Sequence, residues 1–257
     1  MSNLVLLTEE DHVTTITLNR PEQVNALNEE MLSALAERLN EAFHNDSKIV
    51  VLEANGKAFS AGGDLNMMIN SDAGGHFENI MNTIEDIVLT LYQMPKITIA
   101  ALKGSAAGLG LSLTLACDYV LAKSDAKVAM NFIGIGLIPD GGGHFFMQQR
   151  IGTVRAKQTI WEGKRLEADE AKGLGLVDFV INSDMDQVVN QYIDKLKKSP
   201  ILAMIESKMI YHHQSIDQLK SFLAAETKGQ TAMRQTSDHQ EGVDAFLNKR
   251  HPNFTWE

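Results

Sequence analysis

Two stretches rich in glycine, alanine and serine each follow a short apolar run, and this pairing constrains the fold more than any other feature. Residues 56–65 follow the run 49–52, and residues 104–113 follow the run 97–102. The apolar runs predict buried strands. Small residues let the backbone turn tightly and come close to a ligand. Because each turn leads toward a helix, free backbone N–H groups can point at a developing negative charge. The pair suggests an oxyanion hole with two donors.

The order of predicted elements indicates an α/β fold with parallel strands and helices packed outside. A hairpin is predicted from residues 3–7 and 12–18, with its turn at residues 9–11. The elements that follow are a helix with Asn28 as its N-cap, a strand 49–52, a helix 76–94 ended by Pro95, a strand 97–102, a helix from about 107, and a strand 118–122.

The last quarter of the chain has a different character. Residues 183–248 carry only helical patterns, broken at residues 199–200 and near Asp238. We therefore expect a β-rich core, residues 1–195, and a helical C-terminal region, residues 196–257.

Composition narrows the class of protein. The chain has 257 residues and a formal net charge of −10 without a long basic tract, so nucleic-acid binding is disfavoured. No run approaches the length of a membrane span, and no signal peptide is evident. The histidines lack metal-ligand spacing, and the single cysteine, Cys117, lies in an apolar stretch typical of a buried thiol. A cytoplasmic enzyme without a metal is the expectation.

Six segments, in order and at matching spacing, resemble the enoyl-CoA hydratase/isomerase (crotonase) superfamily over nearly the whole chain. They are residues 16–27, 59–65, 104–118, 135–142, 168–177 and 241–250. The resemblance implies an α/β, crotonase-like spiral of β-β-α units with a helical C-terminal region. It also implies an acyl-CoA substrate, with coenzyme A as part of the substrate and no separate cofactor.

The resemblance assigns the catalytic positions. The backbone N–H groups of Gly63 and Leu109 match the two donors that hold the thioester oxygen. The paired glutamates of hydratases match Ser112 and Phe132, which cannot activate water as carboxylates do. Asp140 matches the position at which isomerases carry an acidic residue that moves a proton between C2 and C4. An enoyl-CoA double-bond isomerase is therefore the leading hypothesis.

Alternatives remain open for these residues and for the reaction. Asp140 has the local sequence of a turn aspartate that caps the next helix. His144, four residues later, either tunes Asp140 or is a satisfied helix histidine. A hydratase with atypical acid/base residues and an acyl-CoA-binding scaffold without catalysis are the alternative functions.

Binding residues are also transferred from the family. Positions in the segment that matches its adenine and pantetheine site are Ala61, Gly62, Asp64 and Leu65. Val24 matches an apolar residue beside the coenzyme A moiety. Lys249 matches a basic residue that reaches the coenzyme A phosphates, and a solvated surface lysine is its alternative. The C-terminal helices carry apolar faces, and family members associate as trimers or pairs of trimers. We therefore expect a homotrimer or a hexamer.

Overall fold

The computed structural model describes residues 3–64 and 76–257. Within these residues the strands form two sheets. The larger contains, in spatial order, β1 (Val5–Glu10), β2 (Val13–Leu18), β3 (Ile49–Ala54), β5 (Ile97–Leu102), β7 (Tyr119–Lys123) and β10 (Phe179–Ile181). The smaller contains β4 (Ala58–Ser60), β6 (Ser105–Ala107), β8 (Lys127–Ala129) and β9 (Arg165–Glu167).

Helices alternate with these strands and then replace them toward the C-terminus. They are α1 (Glu29–His44), α2 (His76–Gln93), α3 (Leu109–Leu115), α4 (Gly143–Glu162), α5 (Ala168–Leu174), α6 (Met185–Lys197), α7 (Ile201–Met233) and α8 (Ser237–Leu247). Short 3₁₀ helices span Pro21–Gln23 and Phe132–Ile135. The Asn28 side chain accepts a 3.0 Å hydrogen bond from the Met31 N–H, so the predicted N-cap of α1 is confirmed.

From β3 to β8, consecutive strands alternate between the two sheets. β3, β5 and β7 run parallel in the larger sheet, and β4, β6 and β8 run parallel in the smaller one. A helix follows each pair of strands: α2 after β4, α3 after β6 and α4 after β8. Each repeat thus contributes one strand to each sheet before a helix leads back. This is the spiral of β-β-α units that the family resemblance implies.

The larger sheet is covered on both faces, which explains why its strands are continuously apolar. Val50 and Leu52 of β3 pack in the main core with α1 and α2, while Ile49 and Val51 face a second cluster that includes Val189 of α6. The long helix α7 packs against α2 and α4. No helix in the described part of the chain is long and apolar enough to cross a membrane.

Local details differ from the sequence predictions at two places. The first hairpin turns at Asp11 and His12, whose φ angles are 47° and 64°, rather than at residues 9–11. The helix predicted from about residue 107 begins at Leu109, because residues 105–107 pair with β4 and β8 instead. The four described strands of the smaller sheet are each three residues long, too short to produce a periodic signal.

Candidate active site

The two small-residue loops lie side by side because their strands are neighbours. β4 and β6 are parallel, with Ala58 opposite Ser105 and Ser60 opposite Ala106. The carboxyl ends of parallel strands meet at one edge of a sheet, so the segments that follow β4 and β6 emerge together. β8 ends at the same edge, since the Gly108 N–H donates to the Ala129 carbonyl oxygen at 2.9 Å.

The close approach of the loops depends on glycine. Gly62 has φ of 92°, and a Cβ at this position would lie 2.8 Å from the Ala107 carbonyl oxygen. A Cβ on Gly110 would lie 2.6 Å from Cβ of Ser60. Any larger residue would therefore push the loops apart at both points.

The two N–H groups predicted to form the oxyanion hole have no acceptor among the described residues. Gly63 forms a parallel bridge with Leu27, but the bonds of that bridge use the Gly62 oxygen and the Asp64 N–H. Leu109 is the first residue of α3, where an N–H has no partner within the helix. Neither N–H is therefore used by a partner within the described residues, and both stay candidates for the predicted oxyanion hole.

The first loop is braced by a buried asparagine. Asn25 is fully buried, and its amide nitrogen donates to the carbonyl oxygens of Asn55 at 2.8 Å and Ala58 at 2.9 Å. The Ser60 hydroxyl donates to the Asn25 carbonyl oxygen at 2.8 Å and accepts from the Gly62 N–H at 3.1 Å. Sequence reasoning placed Asn25 in a family signature but gave it no role.

Asp64 forms an ion pair with Arg20, with 2.7 Å between Nη1 and Oδ2. Both side chains are largely buried, at 15% and 7% exposure. The predicted binding residue Leu65 lies outside the described residues. The Arg20 guanidinium is engaged with Asp64 and with the Ala26 carbonyl oxygen.

A cavity of about 510 Å³ opens beside the first loop. It brings together four of the predicted binding residues and one predicted oxyanion donor. They are Val24, Ala61, Gly62, Asp64 and Gly63. Gly108 and Phe132 from the neighbouring segments and Phe246 of α8 complete part of the wall. The side chains of Leu109 and Asp140 do not line this cavity.

Lys249 lies just beyond α8 and is exposed. Its N–H donates to the carbonyl oxygen of Phe246, the residue of α8 that lines the cavity, at 3.2 Å. The structure therefore places the base of this lysine next to the cavity wall, with its side chain outside the cavity itself.

Asp140 is nearly buried, with 7% of its surface exposed. Its Oδ1 has no hydrogen-bond partner in the described part of the chain, and its Oδ2 is 3.5 Å from the Gln230 amide nitrogen. Burial, followed by the nearby carboxylate of Glu226, raises the pKa of Asp140 to about 8. Its carboxyl can therefore take up or release a proton near neutral pH.

Asp140 is not the cap of the helix that follows it. The Gly142 and His144 N–H groups at the start of α4 instead donate to the Glu226 carboxylate, at 2.7 and 3.0 Å. The His144 ring Nδ1 lies 2.8 Å from the same carboxylate, so His144 is a satisfied helix histidine. Glu226 and Gln230 were missed by sequence reasoning, because nothing local distinguishes them from other polar residues of a long helix.

The two positions that match hydratase glutamates are filled by groups without a titratable proton. Ser112 is fully buried, and Phe132 is 5% exposed, with its ring close to Gly108. The Leu109 side chain is buried and directed toward Gly141, where a Cβ would lie 2.4 Å from Leu109 Cδ1. The residue after Asp140, Gly141, thus lies against the helix that follows the second loop. No group of three or more potential metal ligands occurs within residues 3–64 and 76–257.

Comparison with known proteins identifies the family of this fold and site. Residues 8–257 match the family model for enoyl-CoA hydratase/isomerase. The crystal structure of an enoyl-CoA hydratase from Mycobacterium avium subsp. paratuberculosis K-10 superposes with a TM-score of 0.89 at 31% identity, covering 98% of each chain. The chain therefore belongs to the enoyl-CoA hydratase/isomerase family and has the crotonase fold.

Individual relatives carry different reaction names. The Bacillus subtilis (strain 168) protein YhaR is 51% identical over 94% of this chain and 95% of its own. Its name includes both hydratase and isomerase and so specifies no single reaction. The 1,2-epoxyphenylacetyl-CoA isomerase of Escherichia coli (strain K12) is 34% identical over 99% of both chains. Family membership thus fixes the chain as a crotonase-superfamily enzyme, while the names of its relatives include both hydratases and isomerases.

Proposed function

We propose that the protein is an enoyl-CoA isomerase in which Asp140 moves the proton and the N–H groups of Gly63 and Leu109 hold the enolate oxygen. The observation that carries this proposal is the buried carboxyl of Asp140, which has an unpartnered oxygen among the described residues and a pKa raised to about 8. Serine and phenylalanine at positions 112 and 132 leave no carboxylate pair for water activation.

The proposed reaction conserves atoms and charge. The Asp140 carboxylate removes a proton from C2 of a 3-enoyl-CoA, and the electron pair of that C–H bond delocalises onto the thioester oxygen. Two N–H donors stabilise this negative charge. The protonated Asp140 then returns the proton to C4, which leaves the double bond between C2 and C3. The similarity to 1,2-epoxyphenylacetyl-CoA isomerase supports an isomerisation of a coenzyme A thioester, and the transfer from C2 to C4 rests on Asp140 alone.

The test compares wild type with Asp140→Asn on 3-enoyl-CoA substrates and, separately, on 2-enoyl-CoA hydration. We expect kcat for isomerisation to fall about 10²-fold or more, the usual scale for general acid–base catalysis. Acyl-CoA affinity, measured by calorimetric titration, should change little because the oxyanion donors belong to the backbone. Near-normal isomerase activity in Asp140→Asn would overturn the assignment.

Two other outcomes define the alternatives. Hydration that survives in Asp140→Asn would identify a hydratase that uses other acid/base groups. Binding of acyl-CoA without turnover of either substrate by wild type would identify an acyl-CoA-binding scaffold. Absence of heat with every acyl-CoA would reject the substrate class itself.

We also propose that the chain assembles as a trimer or a pair of trimers through its C-terminal region, residues 196–257. Part of the apolar faces predicted there is buried within the chain, including Ile205 and Leu219. Other apolar side chains of α7 and α8 are more than half exposed. They are Leu202, Ile210, Tyr211, Phe246 and Leu247. Light scattering that gives a 28.3 kDa monomer at micromolar concentration would contradict assembly. The cytoplasmic location and the absence of a separate cofactor stay predictions from the sequence.

A further inference from the structure

One carboxylate on α7 is buried against the start of α4 and serves three donors there. The Glu226 side chain is 2% exposed. Its Oε2 accepts from the Gly142 N–H at 2.7 Å, and its Oε1 accepts from the His144 N–H at 3.0 Å and lies 2.8 Å from the His144 ring Nδ1. A carboxylate at a helix N-terminus is stabilised by the exposed N–H groups and by the helix dipole. Glu226 therefore fixes the chain immediately after Asp140.

Gln230, one turn further along α7, holds the chain immediately before Asp140. Its amide nitrogen donates to the Ile138 carbonyl oxygen at 2.5 Å and lies 3.5 Å from Asp140 Oδ2. The two α7 side chains thus bracket residues 138–144 from both sides. This arrangement makes the position of the Asp140 carboxyl dependent on α7.

Within the described residues, Glu226 is the charged group that acts on Asp140. His144 of α4 is the titratable group in contact with Glu226, and the neighbours from α2 and α3 that lie against the Asp140 loop are Ile84, Leu109 and Ser112. Lys208 of α7 pairs with Asp118, and Arg234, the residue after α7, lies over the Phe77 ring. Glu226 is therefore the charge that acts on Asp140 from α7, and like charges oppose the ionisation of each other.

We propose that Glu226 is a positioning residue for Asp140: it fixes the loop that carries this carboxyl and places a second buried carboxylate at the same junction. This inference rests on the proposed function for its catalytic meaning. A neutral side chain could cap α4 by hydrogen bonding alone. A buried carboxylate also makes Asp140 a stronger base, which favours removal of a weakly acidic proton from C2.

The experiment separates the charge of Glu226 from its role as a cap. Urea unfolding is measured from pH 4 to 9 for wild type, Asp140→Asn, Glu226→Gln and the double variant. Between the unfolded-state pKa of about 4 and the folded-state pKa, the folded protein binds one more proton at Asp140, so rising pH lowers stability relative to Asp140→Asn. The same comparison is made between Glu226→Gln and the double variant. There the decline of stability with rising pH should end at a pH at least about one unit lower, because the like charge of Glu226 has been removed.

A shift to lower pH is also expected in the pH profile of activity. The acid limb of kcat/KM for 3-enoyl-CoA should move to lower pH in Glu226→Gln. Asp217→Asn removes a charge from an exposed position of the same helix and should leave both profiles in place. Unmoved profiles in Glu226→Gln would overturn the proposal. The unfolding data do not depend on turnover, so a protein without isomerase activity would reject the proposed function and still test Glu226.

If Glu226→Gln does not fold, Glu226→Asp tests the positioning role instead. The shorter side chain retains the charge but cannot reach all three donors. A fall in kcat of tenfold or more with an acid limb close to that of wild type is expected. Wild-type kcat in Glu226→Asp would contradict a positioning role.

Discussion

The Ser112 hydroxyl donates a 2.8 Å hydrogen bond to the main-chain carbonyl oxygen of Asp140. A position that matches a water-activating glutamate in hydratases is therefore used here to tether the loop that carries the lone carboxyl. The Gly143 N–H donates to the same oxygen at 3.0 Å, so the tether is shared between a side chain and the backbone. Both bonds act on the Asp140 backbone and use neither oxygen of its carboxyl.

Ser112→Ala should therefore affect stability more than chemistry. We expect the free energy of unfolding to fall by about 0.5–1.5 kcal/mol, the usual net value of one hydrogen bond. Isomerase kcat should fall far less than in Asp140→Asn, because the Gly143 bond remains. Thr114→Val is a matched control, since it removes a buried hydroxyl of α3 that bonds only within the helix, to the Leu111 carbonyl oxygen. Equal loss of activity in Ser112→Ala and Asp140→Asn would show that the serine has a direct chemical role.

The pH dependence of activity follows from the protonation state of Asp140. Its pKa is raised to about 8, first by burial and then by Glu226. The base form acts on C2, so kcat/KM for 3-enoyl-CoA should rise about tenfold per pH unit below that value and level off above it. Steady-state rates in constant-ionic-strength buffers from pH 5 to 9.5 provide the measurement. An acid limb centred near pH 4 would mean that Asp140 is not the titrating base.

The fold was largely predictable because its signals are local. The strand 97–102 and the helix 76–94 correspond to Ile97–Leu102 and His76–Gln93, since a continuous apolar run and a helical period each extend over enough residues to be read. The smaller sheet was not predictable in this way. Its three-residue strands are held by pairing between distant segments, such as β4 with β6, and carry no period of their own.

The candidate site also has parts that local sequence predicts and parts that it does not. Gly62, Gly63 and Asp140 lie in motifs whose residues are adjacent in sequence. The supports of these motifs come from elsewhere: Asn25 reaches Ala58, and Glu226 reaches His144. Such contacts join residues tens of positions apart, and a single sequence contains no local sign of them. A buried glutamate on α7 has the same local pattern as an exposed one until the packing of α7 on α4 is known.

Binding of coenzyme A should depend modestly on Lys249. This side chain is exposed just beyond the cavity wall at Phe246, where an ammonium group can meet a phosphate. We expect Lys249→Gln to weaken acyl-CoA affinity by about two- to fivefold, since exposed ion pairs contribute roughly 0.2–1 kcal/mol. Calorimetric titration at two salt concentrations is the measurement, and salt should reduce the difference.

Lys198→Gln serves as the control for this prediction. Lys198 is also exposed, but it follows the last residue of α6. That last residue, Lys197, pairs with Asp11 of the first hairpin. Its replacement removes the same charge from the protein without touching the cavity region. Equal affinities for wild type and Lys249→Gln would make Lys249 an ordinary surface lysine.

The second oxyanion donor can be removed without removing the helix that carries it. Leu109 is the first residue of α3, where proline is tolerated because its missing N–H has no partner within the helix. Gly108 before it has φ of 52° and ψ of −128°, outside the helical region that a following proline disfavours. Leu109→Pro therefore deletes one N–H donor while the preceding turn keeps its conformation.

We expect Leu109→Pro to lower kcat about 10²- to 10³-fold, which corresponds to the roughly 2.7–4 kcal/mol lost with one oxyanion donor. Leu109→Met is the matched control, because it keeps the N–H and nearly the volume of the buried side chain. Circular dichroism and thermal unfolding establish that both variants fold. The loss should appear in kcat more than in acyl-CoA affinity, since the charge on the thioester oxygen develops only as the C2 proton leaves. If Leu109→Pro and Leu109→Met turn over 3-enoyl-CoA equally well, the enolate oxygen is not held by this N–H, and the second small-residue loop only shapes the cavity.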